Sequence, residues 1–230
     1  MNSSIDEKEY LSQLALCIER GKINSSSKFP ADLLGKPGVE ELISELLLQN
    51  VSPKTILDEA LLVGMNRVGE KFRDGKIFIP DVLIAAKSMN AAMEKLRPYI
   101  VKGDLKLKGK VILATVKGDL HNIGKNLVRM VLEGGGWEVI DLGIDVSSEK
   151  IIDALKNNDV KAVGLSALLT TTMINMKDIV SDIKINFPHI PVAVGGAPLN
   201  QKFADEINAD LYSPDPQGML DYLNKNFSLN

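Results

Sequence analysis

From Lys108 onward, short apolar runs alternate with amphipathic segments, and few folds accept that pattern. Strands are predicted at Val111–Val116, Glu138–Leu142, Ala162–Leu165, Val192–Val194 and Asp210–Tyr212. Helices are predicted at Ile123–Glu133, Ser148–Lys156, Thr172–Asn186, Gln201–Ile207 and Gln217–Asn224. Strand–helix repeats of this length imply an α/β domain, a five-stranded parallel sheet with helices on both faces. In such a sheet a ligand sits beyond the carboxyl ends of the strands, near the point where the strand order reverses.

The first half of the chain follows a different rule. Ile5–Ile23, Gly38–Gln49, Pro53–Phe72 and Pro80–Tyr99 each read as an amphipathic helix, the third with Ser52 as its cap and Pro53 at its first position. Four helices of this length suggest a small bundle. Asn24-Ser25-Ser26-Ser27-Lys28-Phe29-Pro30, between the first two, is read as a mobile polar connection. The expected organisation is a helical domain over 1–101, a linker over 102–107 and an α/β domain over 108–230. Gly134-Gly135-Gly136 reads as a helix stop.

The chemistry concentrates where the first strand hands over to its helix. Asp119-Leu120-His121-Asn122-Ile123-Gly124 occupies that turn. A carboxylate two residues before an imidazole can accept one ring N–H and present the other nitrogen to a metal. The hexapeptide alone fits equally a loop in which Asp119 caps the helix and His121 is a bystander. A phosphate loop fits poorly. Gly118 to Gly124-Lys125 is one residue too long for that motif, and Asn126 stands where a Ser or Thr should be.

Composition narrows the classes. A net charge of −3 gives no basic footprint for nucleic acid. No apolar run spans a bilayer, and Met1–Asp6 carries no signal-peptide pattern, so neither a membrane nor export is expected, and the cytoplasm is. Cys17 shares an apolar stripe with Leu14 and Ile18 and reads as a buried thiol. One cysteine and two histidines cannot build an all-protein zinc cage. A metal on His121 would therefore take most of its other ligands from a cofactor.

The remaining strand ends supply the same rim. The third leads into Gly164-Leu165-Ser166-Ala167-Leu168-Leu169-Thr170-Thr171-Thr172, the fourth into Gly195-Gly196, the fifth into Tyr212-Ser213-Pro214-Asp215. Small and hydroxyl-bearing residues let a ligand approach backbone closely, although capping and turning account for each loop taken singly.

Taken together and in order, Asp119-x-His121-x-x-Gly124, Ser166-x-Leu168 and Gly195-Gly196 resemble the signature of the cobalamin-binding domain, on a flavodoxin- or Rossmann-like sheet. In the helical half, Gly64-Met65-Asn66-Arg67-Val68-Gly69-Glu70-Lys71-Phe72, then Gly75, Phe78, Pro80-Asp81-Val82 and Ala85-Ala86-Lys87-Ser88-Met89, resemble the four-helix cap of methionine-synthase-type corrinoid proteins. The similarity covers nearly the whole chain. Gly21–Gly38 departs from it by being longer than the family's usual helix connection.

The resemblance implies cobalamin as the cofactor, cycling between methylcobalamin and Co(I), with His121 as the axial cobalt ligand. Asp119 would accept the His121 N–H, and Thr172 would take the place of a family serine that completes this hydrogen-bonded set. The other implied cofactor contacts are Gly118, Leu120, Asn122, Ile123, Gly124, Ser166, Leu168, Thr170, Gly195, Gly196, Tyr212 and Asp215. The displaced nucleotide tail would descend past Ser166, Leu168, Thr170, Gly195 and Gly196. Phe72, Phe78, Val82 and Met89 would cover the cobalt, although a bundle core would bury the same residue types.

Such a protein carries a methyl group in one-carbon metabolism and does not turn over alone. Its implied partners are a substrate-specific methyltransferase, an acceptor methyltransferase of the tetrahydrofolate or thiol type, and a reductive activase. Two alternatives share the domain. An adenosylcobalamin mutase subunit generally lacks the cap, and a B12-sensing regulator would need a basic DNA-binding segment ahead of it.

Overall fold

In a computed structural model, residues 7–227 are described. The chain divides into two compact units, one running to Leu107 and taking in Gly134–Gly136, the other comprising Lys108–Glu133 and the chain from Trp137 on.

The first unit is helical. Its elements are α1 (Glu7–Arg20), α2 (Val39–Leu48), α3 (Pro53–Ile56), α4 (Leu62–Arg73) and α5 (Ile79–Lys102). A π-turn over Leu57–Leu61 joins α3 to α4 without a break, so the third amphipathic segment is one rod with a wider turn inside it. Ser52 accepts the Thr55 N–H at 3.0 Å and Pro53 opens the helix, as their types predict. The first segment begins at Glu7 among the described residues. Ile5 and Asp6, with the rest of Met1–Asp6, lie outside them.

Leu14 and Ile18 of α1, Ile43 and Leu46 of α2, Ile56, Leu61, and Val82, Met89 and Leu96 of α5 form the core of this unit. Val82 and Met89 are thus packed within the bundle, whereas Phe78 is 70% exposed. A methyl group on Gly64 would stand 2.6 Å from the Ala15 carbonyl, so glycine lets α4 cross α1 at close range. Cys17 is buried against the Pro37 carbonyl, and burial pushes its thiol up to about 11.

The polar connection after α1 is tied down, contrary to the mobility expected of it. The buried Lys22 ammonium donates to the Ser27 carbonyl at 2.9 Å. Asn24 bonds Glu40, and Ser25 bonds Glu41 through both its amide and its hydroxyl. Side chains that usually solvate a loop here bond the first turn of α2, and a short 3₁₀ turn over Ala31–Leu33 follows.

The second unit is the α/β domain. Its order is β1 (Lys110–Thr115), α6 (Ile123–Gly134), β2 (Glu138–Asp141), α7 (Ser148–Asn157), β3 (Val160–Ser166), α8 (Thr170–Met173), α9 (Asn175–Asn186), β4 (Val192–Gly195), α10 (Gln201–Glu206), β5 (Leu211–Tyr212) and α11 (Pro216–Phe227). The five strands are parallel in the order β2-β1-β3-β4-β5. Ile112, Ala114, Val163, Leu165, Val192 and Val194 have almost no accessible surface, which explains their unbroken apolar runs. The expected helix over Thr172–Asn186 is two pieces, with Ile174 at the joint. Chain order reverses between β1 and β3, so the loops after these neighbouring strands diverge and open a crevice.

Candidate functional site

The crevice is bordered by the loop from Val116 to Asn122, and Asp119 anchors it. The Asp119 side chain has no accessible surface, yet every lone-pair direction of its carboxylate is used. Oδ1 accepts the His121 backbone N–H at 3.0 Å and pairs with the ring Nδ1 at 2.8 Å. Oδ2 accepts the Leu168 N–H at 2.8 Å and the Thr172 hydroxyl at 2.6 Å. Burial raises the tendency of this carboxyl to hold a proton. The bonds from Thr172, Leu168 and His121 outweigh that, and the group sits far below the usual carboxylate range. An ionised Asp119 can only accept, so Nδ1 keeps its proton and donates it in a hydrogen bond, which leaves Nε2 as the lone-pair donor.

His121 itself is half exposed, and Nε2 has no hydrogen-bond partner among the described residues. Its backbone is held from below: the buried Thr115 hydroxyl donates to the His121 carbonyl at 3.0 Å. Gly118 N–H donates to Asp145 Oδ1 at 2.7 Å, Asp145 N–H donates to the Asp119 carbonyl at 3.0 Å, and Asn175 donates to the Lys117 carbonyl at 2.7 Å. Four segments of chain therefore fix one imidazole.

Apolar side chains are exposed on the same side of the sheet. Leu120 and Ile123 are 67% and 71% exposed, Ile144, Leu168 and Leu169 are exposed on loops at the same strand ends, and Ile174 is exposed at the joint of α8 and α9. Six large hydrophobes in water at one rim are costly for an isolated domain and mark a binding surface. Asn122 and Gly124 are exposed beside them, Asn122 accepting the Asn126 N–H in the first turn of α6.

Toward β4 the backbones approach closely. Ser166 pairs with Thr115 on one side and Gly195 on the other. Gly196 has φ +133°, and a Cβ there would stand 1.8 Å from the Ala167 carbonyl oxygen. No other residue fits without moving the chain. Thr170 opens α8 and is exposed.

Two of the expected contact residues, both partly exposed, also make hydrogen bonds within the fold. The Tyr212 hydroxyl donates to the Leu199 carbonyl at 3.1 Å, and its ring packs on the core. Asp215 accepts the Gly218 N–H at 2.9 Å through Oδ1, capping α11, and its carbonyl accepts the Ser213 hydroxyl. Sequence reasoning missed Thr115, Asp145, Asn175 and the Leu168 amide. Asp145, at φ 53°, sits in a turn rich in Gly and Asp, which was the available signal.

The donor set suits a macrocycle-bound metal. Among the described residues no group of three His, Cys, Asp or Glu side chains can hold a metal ion, so His121 would contribute one ligand and the cofactor the rest. An oriented Nε2 beside exposed apolar side chains fits a flat macrocycle.

The comparisons with known proteins agree. A family described as "B12 binding domain" matches residues 109–215, and a second with the same description matches residues 35–97. The chain is 38% identical over 176 residues to "Trimethylamine corrinoid protein 1" of Methanosarcina acetivorans, covering 75% of this chain and 82% of that one. It is 39% identical over 165 residues to "Dimethylamine corrinoid protein 3" of the same organism, covering 71% and 78%. Among solved structures, a novel cobalamin-binding protein from Desulfitobacterium hafniense aligns with TM-score 0.73 and 30% identity over 96% of this chain and 98% of that one. The methanol:cobalamin methyltransferase complex MtaBC from Methanosarcina barkeri aligns with TM-score 0.79 and 28% identity, covering 96% and 81%.

Proposed function

This chain belongs to the family of B12-binding corrinoid proteins, and on that premise we propose that it carries a methyl group between a substrate-specific methyltransferase and an acceptor methyltransferase. The single observation that carries this reading is the buried, ionised Asp119 holding His121 with Nε2 presented to the rim. When bound, the corrinoid supplies the cobalt that accepts and releases the methyl group.

The chain's own residues then have distinct tasks. His121 would offer Nε2 to the cobalt. Asp119 holds the Nδ1 proton and so sets how strongly Nε2 donates. Thr172 and the Leu168 amide keep Asp119 ionised and in place. Leu120, Ile123, Ile144 and Leu168, exposed at this rim, would form an apolar bed for the group and exclude water, and Gly195 and Gly196 would let it approach the backbone. Gly118, Asn122, Gly124, Ser166 and Thr170 shape the loops between them.

The partner to test first follows from the relatives. Their names specify trimethylamine and dimethylamine, and one structural neighbour is a complex with a methanol methyltransferase. Methylamine and methanol methyltransferases are therefore the donor-side candidates. The acceptor-side methyltransferase and a reductive activase complete the proposed system, which belongs in a reducing compartment such as the cytoplasm. No helix among the described residues is long and apolar enough to cross a membrane.

The test is to load the apo-protein with hydroxocobalamin, remove free cofactor and compare absorption spectra with His121→Ala. Retained corrinoid with an altered spectrum in the variant supports the reading. Failure of folded wild-type protein to retain corrinoid overturns it.

A further inference from the structure

One buried ion pair in the α/β unit lies outside every role assigned so far. Lys125 directly follows the motif's Gly124 and is 3% exposed, with its ammonium 2.5 Å from both carboxylate oxygens of Asp141. It is the only lysine among the described residues of the site loops that is buried; Lys117, on the same loop as His121, is exposed. Asp141 ends β2, also accepts the Gly143 N–H at 2.9 Å, and lies 3.5 Å from Arg129. A buried pair of this kind is a poor source of net stability, because desolvation offsets most of the Coulomb attraction. Its placement is more informative.

The pair closes a ring of bonds around His121. Lys125 lies in the first turn of α6, four residues after His121. Through Asp141 it grips Gly143, whose carbonyl accepts the Thr115 N–H at 3.0 Å. Two residues further, Asp145 holds both the Gly118 amide and the Asp119 carbonyl. Thr115 in turn holds the His121 carbonyl. The loop that carries the imidazole is thus fastened at its start through Asp145 and at its end through α6, and Lys125–Asp141 joins the two fastenings.

We infer that the Lys125–Asp141 ion pair positions His121 for axial ligation by locking the start of α6 to the loop after β2. Lys125 and Asp141 are positioning residues, since they act on His121 through the bonds of its loop. The inference rests on the cobalamin reading for its consequence, but the positioning can be measured without cofactor.

The experiment compares wild type, Asp141→Asn, Lys125→Met and Lys125→Arg, with Ile183→Ala as a control that weakens the same unit in its core. Asp141→Asn keeps one oxygen, which can still accept from Gly143, and removes the charge and the second acceptor. In the apo-proteins, amide hydrogen exchange is followed across residues 117–124. Loss of the pair is expected to speed exchange there by about tenfold, while Ile183→Ala leaves the ratio of loop to sheet exchange unchanged. Lys125→Arg, which keeps the cation, is expected to restore slow exchange. In the hydroxocobalamin-loaded proteins, the axial-ligand features of the spectrum are expected to shift toward those of His121→Ala in Asp141→Asn and Lys125→Met, and not in the control. Unchanged loop exchange in a folded Asp141→Asn, or the same change in Ile183→Ala, overturns the inference. Wild type that exchanges as expected but retains no corrinoid overturns the cobalamin reading and leaves the positioning standing.

Discussion

Replacing Asp119 with Asn tests the site most sharply, because the two side chains have the same shape and differ in one donor group. The carboxylate faces four donors, two on each oxygen. An amide must turn its NH₂ toward one pair. On the Oδ1 side the imidazole can change tautomer and accept, but the His121 amide cannot. On the Oδ2 side the Thr172 hydroxyl can rotate toward the Leu169 carbonyl, 3.0 Å away, but the Leu168 amide cannot. Either way one buried backbone N–H loses its acceptor, at about 1–3 kcal/mol, and the surviving bonds lose charge assistance. The expected cost is about 2–4 kcal/mol, a large part of the 5–15 kcal/mol typical of a domain. Trp137, the only tryptophan, is buried in the same unit and reports its unfolding. Urea titration of apo wild type and variant, followed by its fluorescence, gives the difference directly. The sign with pH is fixed. The folded carboxyl titrates below its unfolded value, so its stabilisation is complete above the unfolded pKa of about 4 and is lost as pH falls toward the folded one. The gap between wild type and variant should narrow below about pH 4. A variant within about 0.5 kcal/mol of wild type at pH 7 refutes the four-bond account.

Gly196→Ala should destabilise the apo-protein by at least about 1–3 kcal/mol through backbone strain, in thermal unfolding, whereas Gly124→Ala, with open space around it, should be neutral or slightly stabilising. Thr172→Val should cost about 1–2 kcal/mol in urea unfolding through its missing hydroxyl, and Thr172→Ser should recover part of it. Cys17, with its thiol near 11 and buried, should resist iodoacetamide at pH 8 in the native protein and react once urea unfolds it; labelling of native protein by mass spectrometry refutes this. Leu46→Ala, at the centre of the helical unit, should cost about 2–5 kcal/mol by urea unfolding followed by circular dichroism.

The alternation of apolar runs and amphipathic segments carried the α/β architecture, because a doubly covered parallel sheet leaves continuous apolar strands as its trace. Element limits differ by one to three residues, as at β3, which extends from the expected Ala162–Leu165 to Val160–Ser166. The joint at Ile174 left no trace, since its residues suit either a straight or a broken helix. The connection after α1 was misjudged for a definite reason. A serine run is polar whether it faces water or bonds a helix end, and only Glu40 and Glu41 opposite decide between them. At the site, Asp119 and His121 were legible because their bond is local. The Leu168 amide was not, since it reaches Asp119 only through the pairing of β1 with β3. Lys125 and Asp141 are separated by a helix and a turn, and nothing in their spacing announces a pair. The hydrogen bonds of Tyr212 to Leu199 and of Gly218 to Asp215 were likewise not legible, since a strand end offers such residues to a ligand and to the fold alike.

The Asp119 carboxylate joins the most local bond of the site to its least local ones. Oδ1 serves a residue two positions away, and Oδ2 serves residues 49 and 53 positions away. During folding, the first can form as soon as the turn after β1 closes. The second must wait until β3 has crossed over and paired, a step slowed by the entropy of closing a long loop. A chain caught between these stages has its histidine beside its aspartate but no Leu168 amide or Thr172 hydroxyl to hold the aspartate in place. Competence to present the axial nitrogen is therefore acquired late, and a well-oriented His121 certifies that the sheet beneath it is complete.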